Sequence, residues 1–201
     1  MKKNIVIVGG GPAGITCALT LARANAHQNL GVDFAITVVD SGSSDLLAAA
    51  LWEAPGVSPG TSGAQHLATI RSQLAETPVL WKNGHVKLVK GIPASFQVVL
   101  DSGESLDTHL VVIATGFKKF DLELEGGTPT QAHPLSPKER PALVLERPGL
   151  VRSGIYAAGV IAGEVSMFAS ACGSGATIAC RILSDVLGHP VLVHDVQVQS
   201  H

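Results

Sequence analysis

Short apolar runs alternate along the chain with stripes of helical spacing, a pattern that predicts an α/β fold. Lys3 to Val8 is a continuous apolar, β-branched run, as expected of a parallel strand buried on both faces. Pro12 to Asn25 keeps helical spacing, and a proline is tolerated in a first turn. Asp33 to Asp40 predicts the next strand, ended by the turn cluster Ser41-Gly42-Ser43-Ser44. Residues 3–40 therefore read as one βαβ unit, with His27 to Val32 as a somewhat long connection.

Beyond Leu46 the pattern fades into a Gly-, Pro- and Ser-rich stretch ending at Gly63. Leu67, Ile70 and Leu74 then place a second helix over Ala64 to Glu76. Short strands are predicted at His85 to Lys90, Ser95 to Leu100 and Leu110 to Ala114, with Asp101-Ser102-Gly103-Glu104 as a hairpin signal. Phe117 to Pro141 is charged and rich in Pro and Gly; it reads as a loop and as the best internal boundary. Ala142 to Leu145 and Gly154 to Ala158 follow as strands, and Val165 to Leu187 as a long helix stopped by Gly188. The tail from Pro190 to His201 fits either an edge strand or a loose end. The expected architecture is one domain over residues 1–201: a mainly parallel sheet with flanking helices, and a small antiparallel segment over residues 85–107.

Composition narrows the functional classes. Hydrophobic residues make up 46% and charged residues 15%, which argues against disorder. A net charge of -2 supplies no electrostatic reason to expect nucleic acid or an anionic membrane as partner. No apolar run reaches the roughly 18–20 residues of a membrane helix. Met1-Lys2-Lys3 and the apolar run after it imitate a secretory signal, but Gly9-Gly10-Gly11-Pro12 at its centre speaks against that reading. Cys17, Cys172 and Cys180 show neither a Cys-x-x-Cys nor zinc-ligand spacing, and such usage suits a reducing cytoplasm.

The candidate chemistry begins with Val8-Gly9-Gly10-Gly11-Pro12-Ala13-Gly14, a glycine loop between a strand and a helix. In that context Gly9 allows the tight turn, Gly11 lets a pyrophosphate approach the backbone, and Gly14 lets helix and strand pack closely. Pro12 and Ala13 open the helix whose N-terminus faces the negative charge. Asp40, at the end of the second strand, is placed to accept hydrogen bonds from an adenosine ribose and disfavours the 2′-phosphate of NADP.

Two later segments resemble a family. Leu110-Val111-Val112-Ile113-Ala114-Thr115-Gly116 is similar to the second-strand motif of two-dinucleotide-domain flavoproteins, and Gly154-Ile155-Tyr156-Ala157-Ala158-Gly159 is similar to their C-terminal flavin motif. Trp52 to Val57, followed by Gly63-Ala64-Gln65-His66-Leu67, resembles a segment of thioredoxin reductases in particular. The resemblance covers residues 3–116 and 142–188 and implies an FAD-binding fold. It adds Ala114, Thr115, Gly116, Gly159 and Val160 to the expected cofactor site, with the helix after Gly159 aimed at the isoalloxazine. A plain NAD-binding Rossmann protein is disfavoured by the same two motifs.

The chain departs from the family in two ways. Thioredoxin reductases insert an NAD(P)H domain with its own glycine loop and a Cys-x-x-Cys after the Ala-Thr-Gly segment; here only Phe117 to Pro141 occupies that place. Gly173-Ser174-Gly175 lies within the last predicted helix and reads as a site of close helix packing. The family motif also continues with an aspartate after its last glycine, where Val160 stands here. Glu164 is a possible substitute, but Glu164 and Ser166 read more simply as caps of the last helix. His66 and Trp52 belong to a segment that can pass near a flavin and Cys172 to a helix that can, but Cys172 reads more simply as a small packing residue and Cys17, in the first helix, as core. The expected function is a single-domain, thioredoxin reductase-like oxidoreductase or electron carrier. The alternative is a non-catalytic FAD-binding subunit or sensor. Either implies a homodimer or a separate redox partner.

Overall fold

The computed structural model describes residues 2–27, 30–118 and 120–193. The first half holds β1 (Lys2–Val8), α1 (Pro12–His27), β2 (Asp33–Asp40), β3 (Ala50–Leu51), β4 (Thr61–Ser62), α2 (Gly63–Ala75), β5 (Leu80–Asn83) and β6 (Val86–Ile92). The second holds β7 (Ser95–Leu100), β8 (Ser105–Thr108), β9 (Leu110–Ile113), β10 (Glu123–Leu124), β11 (Thr130–Ala132), β12 (Pro141–Leu143), β13 (Leu150–Arg152), β14 (Ile155–Ala157) and α3 (Phe168–Leu187). Short 3-10 turns occupy Asp45–Ala48 and Gly159–Ala162.

The central sheet runs β13-β14-β9-β1-β2-β5 and is parallel from β14 to β5. Only β13, on the edge, is antiparallel. Ile5, Val6, Ile7 and Val8 are all buried, so β1 has two apolar faces. Ile5 and Ile7 pack into one core with α1 and α3, while Val6 and Val8 pack into a second core under β6, β7 and β8. That sandwiching is why the first run is continuous rather than alternating. The antiparallel segment is β6-β7-β8, with β10 added in parallel on its outer side.

Helices α1 and α3 meet where Gly175 faces the backbone of Ala13 and Cys17, so closely that a Cβ there would collide with the Ala13 carbonyl. Of the Gly173-Ser174-Gly175 group, only Gly175 serves this contact; nothing lies near a Cβ built on Gly173. Gly188 caps α3 in the left-handed conformation at φ 75, with its N–H on Ser184 O, as the stop signal predicted.

The sequence reading needs correction at several places, and the short strands β3, β4 and β13 are among the elements it did not predict. Phe117 to Pro141 is not simply a loop: β10 pairs with β6, β11 pairs with β12, and Leu122 and Leu124 are buried in the second core. Local propensity there is weak: β10 forms because Leu122 and Leu124 find that core, while β11, exposed throughout, is held by its pairing with β12. Helix α3 begins at Phe168 rather than Val165, and no side chain caps it, so Glu164 and Ser166 do not play that part. The 3-10 turn and a left-handed Gly163 at φ 93 separate the strand from the helix, a break that apolar spacing does not register. Edge strand β5, half-exposed and partly polar, was not predicted. Helix α1 runs two residues further than expected, to His27. Residues 28 and 29 of the following connection lie outside the described residues, as does the tail from His194 to His201; residues 191–193 form no strand.

Candidate functional site

The carboxyl ends of β1, β2, β9 and β14 open on one side of the sheet. β1 lies between β9 and β2, so chain connections leave it in opposite directions, and a crevice forms where they part. This crevice is a cleft of about 650 Å³. Gly9, Gly11, Pro12, Ala13, Asp40, Ala114, Thr115, Gly116, Gly159 and Val160 all line it. Residues over 150 positions apart in sequence are thus brought to one site by the strand order.

Gly14, the remaining predicted residue, does not line the cleft. A Cβ on it would strike the Gly9 carbonyl, and Gly9 itself sits at φ 113 against the Ala114 carbonyl. Gly9 and Gly14 therefore shape the loop. Gly11 is different: the nearest atom to a Cβ there is Ser44 Oγ at 3.4 Å, on the cleft side.

Hydrogen bonds hold the loop open toward the cleft. Gly9 N–H donates to Val39 O at 2.8 Å, and Gly10 N–H donates to Asp40 Oδ1 at 2.9 Å. Asp40 is thus tied to the glycine loop by one oxygen and keeps the other for a ligand. Ala114 N–H donates to Val8 O at 2.8 Å, Ala158 N–H to Ile113 O at 2.9 Å, and Gly159 N–H to Ser174 Oγ at 2.9 Å. Among the described residues, no protein acceptor meets the amides of Gly11, Ala13 and Gly14. Those of Gly11 and Ala13, which line the cleft at the positive end of α1, form a ready anion site.

Several cleft residues carried no recognisable signal in the sequence. The Asp45–Ala48 turn lines it, entered through Ser44, whose Oγ accepts from Leu46 N–H at 3.4 Å. Lys118 pairs with Asp45 at 2.9 Å, joining the segment after Gly116 to the segment after β2. His85 lies 2.8 Å from Asp121, which also pairs with Lys87; the Lys87 bond first, and His85 with it, holds the Asp121 carboxyl below its ordinary range. Met167 and Phe168, at the start of α3, line the cleft, so this helix does present its N-terminus there.

Other candidates fall outside. His66 packs edge-on against Phe168 at 4.8 Å behind the cleft wall, and Trp52 is 71% exposed beside it. Cys172 does not line the cleft, and burial raises its thiol above the ordinary value. Cys17 is in the core, as expected, and burial pushes its thiol up to about 12. Among the described residues there is no group of three or more metal-ligating side chains, and no helix is long and apolar enough to cross a membrane.

The family model of pyridine nucleotide-disulphide oxidoreductases matches residues 3–192 of the chain. The chain belongs to this family. Its fold is similar to that of a thioredoxin reductase from Gloeobacter violaceus, with a TM-score of 0.76 and 15% identity over 98% of this chain and 99% of that one. An oxidoreductase from Agrobacterium tumefaciens aligns with a TM-score of 0.74 and 16% identity over 94% and 99% of the two chains. The thioredoxin reductase of T. acidophilum gives 0.69 and 14% over 92% and 99%. Among curated proteins, no sequence matches the chain.

FAD is the cofactor that the pyridine nucleotide-disulphide oxidoreductase family implies. The residues present fit such a dinucleotide. Orphan amides at a helix N-terminus suit a diphosphate, Gly11 leaves the backbone open to it, and the half-engaged Asp40 suits a ribose.

Proposed function

We propose that this chain binds FAD in the cleft and serves as a thioredoxin reductase-like oxidoreductase or electron carrier without a pyridine-nucleotide domain or redox Cys-x-x-Cys of its own. The observation that supports it is the convergence of three separate sequence motifs, Gly9–Gly14, Ala114–Gly116 and Gly159–Val160, on one cleft or its supporting loop. When bound, FAD supplies reversible one- and two-electron chemistry at its isoalloxazine ring. The chain's part is to bind and orient. Gly11 and Ala13 amides take the diphosphate, Asp40 takes the ribose, and Ala114 to Gly116 with Gly159 and Val160 form the wall toward the ring. With no Cys-x-x-Cys in the sequence, reducing equivalents enter and leave through a diffusible donor or a separate redox protein, in the cytoplasm. Exposed Met167 at the cleft and exposed Trp52 beside it offer apolar surface to such a partner or to a second copy of this chain.

One observation favours the second reading, a non-catalytic FAD-binding subunit or sensor. Val160 packs its apolar side chain against the second core at the place where the motif it resembles carries an aspartate, and it has no polar side-chain group to offer a ribityl chain. An absorption spectrum of the purified protein, taken after adding FAD and desalting, tests the common premise. Retained flavin bands are the expected result. A colourless protein that cannot hold added FAD overturns both readings. Turnover of bound flavin with an electron acceptor then separates carrier from sensor.

A further inference from the structure

The segment between Phe117 and Leu143 contributes a buried histidine that the cofactor-binding groups do not include. His133 is 6% exposed, and both ring nitrogens are engaged. Leu135 N–H donates to Nδ1 at 3.1 Å, so Nδ1 carries no proton. The proton therefore sits on Nε2, which donates to Val160 O at 2.9 Å. The same ring meets Phe117 edge-on, with centroids 5.0 Å apart. Phe117 follows Gly116 and lines the cleft, as Val160 does. One side chain thus touches both later cleft segments from behind without entering the cleft itself.

We propose that His133 is a positioning residue: it anchors the Gly159–Ala162 turn against the cleft and thereby sets the affinity for FAD. The inference rests on the FAD reading above. The turn's own bonds close at its end: Gly163 N–H donates to Val160 O at 3.0 Å and also to Gly159 O, and Glu164 N–H reaches Gly159 O at 3.4 Å. Outside it, Gly159 N–H is held by Ser174 Oγ at 2.9 Å, at the start of the turn. A single 3-10 turn is a poorly bonded element, and an outside donor on its carbonyl restricts where it sits. His133 is itself held: its backbone N–H donates to Arg140 O at 2.8 Å, where β11 and β12 pair. A buried polar ring is costly unless bonded, and an apolar side chain would fill the space beside Phe117 without that cost. The two directed hydrogen bonds are what histidine adds.

Three variants separate positioning from mere packing. FAD is titrated into each apo-protein and followed by quenching of flavin fluorescence, while urea unfolding of the same apo-protein reports stability. His133→Phe keeps the ring and loses both bonds; His133→Asn keeps only an acceptor toward Leu135; His133→Gln places an amide donor where Nε2 stands. Each of Phe and Asn is expected to weaken FAD binding about tenfold, the equivalent of one lost hydrogen bond, with Gln within about threefold of wild type. Equal affinities for Asn and Gln, or affinities that simply follow apo-protein stability across the series, would overturn the proposal. Should the Phe variant not fold, the Asn and Gln pair still decides it. A wild-type protein with no affinity for FAD removes the FAD reading and this inference together; a flavin-binding wild type with indifferent variants removes this inference alone.

Discussion

Two glycines of the same loop do different work, and substitution should separate them. At Gly14 a methyl group would run into the Gly9 carbonyl, a backbone atom that cannot swing aside. Gly14→Ala should therefore destabilise the fold by about 1–3 kcal/mol, the usual cost of overpacking. At Gly11 the nearest atom is a serine oxygen on the cleft side, at 3.4 Å, so Gly11→Ala leaves the apo-fold close to wild type. Its methyl group instead stands where the diphosphate approaches and should weaken FAD binding. Urea midpoints and FAD titrations of the two variants check this, and equal stability losses would show that Gly11 also shapes the loop. The steric need for a glycine at Gly14 was legible in the sequence because backbone clearance in a strand–loop–helix unit depends on local geometry. The tie between Asp40 and Gly10 N–H was not, since it needs β2 to lie beside β1 in register.

At the scale of elements, α3 is fastened at its far end by a polar cluster that no motif predicts. Asp185 Oδ2 accepts from Tyr156 Oη of β14 at 2.7 Å and from Arg147 at 2.5 Å. Asp185→Ala strands a largely buried phenol, and a stability loss of about 1–3 kcal/mol is expected from the broken hydrogen bonds. The cleft lies at the opposite end of α3, so FAD affinity should change little. A variant that binds FAD poorly while unfolding like wild type would show that the cluster acts on the site. The extent of α3 illustrates what spacing reads well and badly. Its stop at Gly188 is a local steric preference, visible in sequence. Its start is set by the 3-10 turn and by Gly163, whose places depend on contacts with residues near 133 and 134.

The whole molecule records its burial in its alkaline stability. Cys17 releases its proton near 9.0 when exposed, but burial, with Cys180 nearby, pushes the folded thiol up to about 12. Tyr156 behaves alike from an ordinary value of 10.0: burial first, then its bond to Asp185, raises it. The unfolded chain therefore sheds these protons while the folded one keeps them. Both contributions are complete at neutral pH, and stability should decline from pH 9 upward, at most by about 1.4 kcal/mol per unit for each such group. Cys172, also raised by burial, adds to the same window. Unfolding free energies measured against pH should fall less steeply between pH 9 and 10 in Cys17→Ala, and less steeply above 10 in Tyr156→Phe. Superimposable profiles for wild type and both variants would mean that these groups are not shielded in solution.

The sequence by itself determined the βαβ unit, the glycine loop and the parallel core strands. Each of these follows from short-range rules: periodicity, backbone clearance, and the matching of a helix N-terminus to negative charge. Tertiary structure alone decided the rest. The weakly patterned stretch after Phe117 becomes β10 and β11 because Leu122, Leu124 and His133 find partners far away in the chain. The ion pair of Lys118 with Asp45 and the cluster of His85, Lys87 and Asp121 likewise exist only once distant loops share one sheet edge. Such contacts join residues whose neighbours in sequence say nothing of them, so only the packed chain brings them into view.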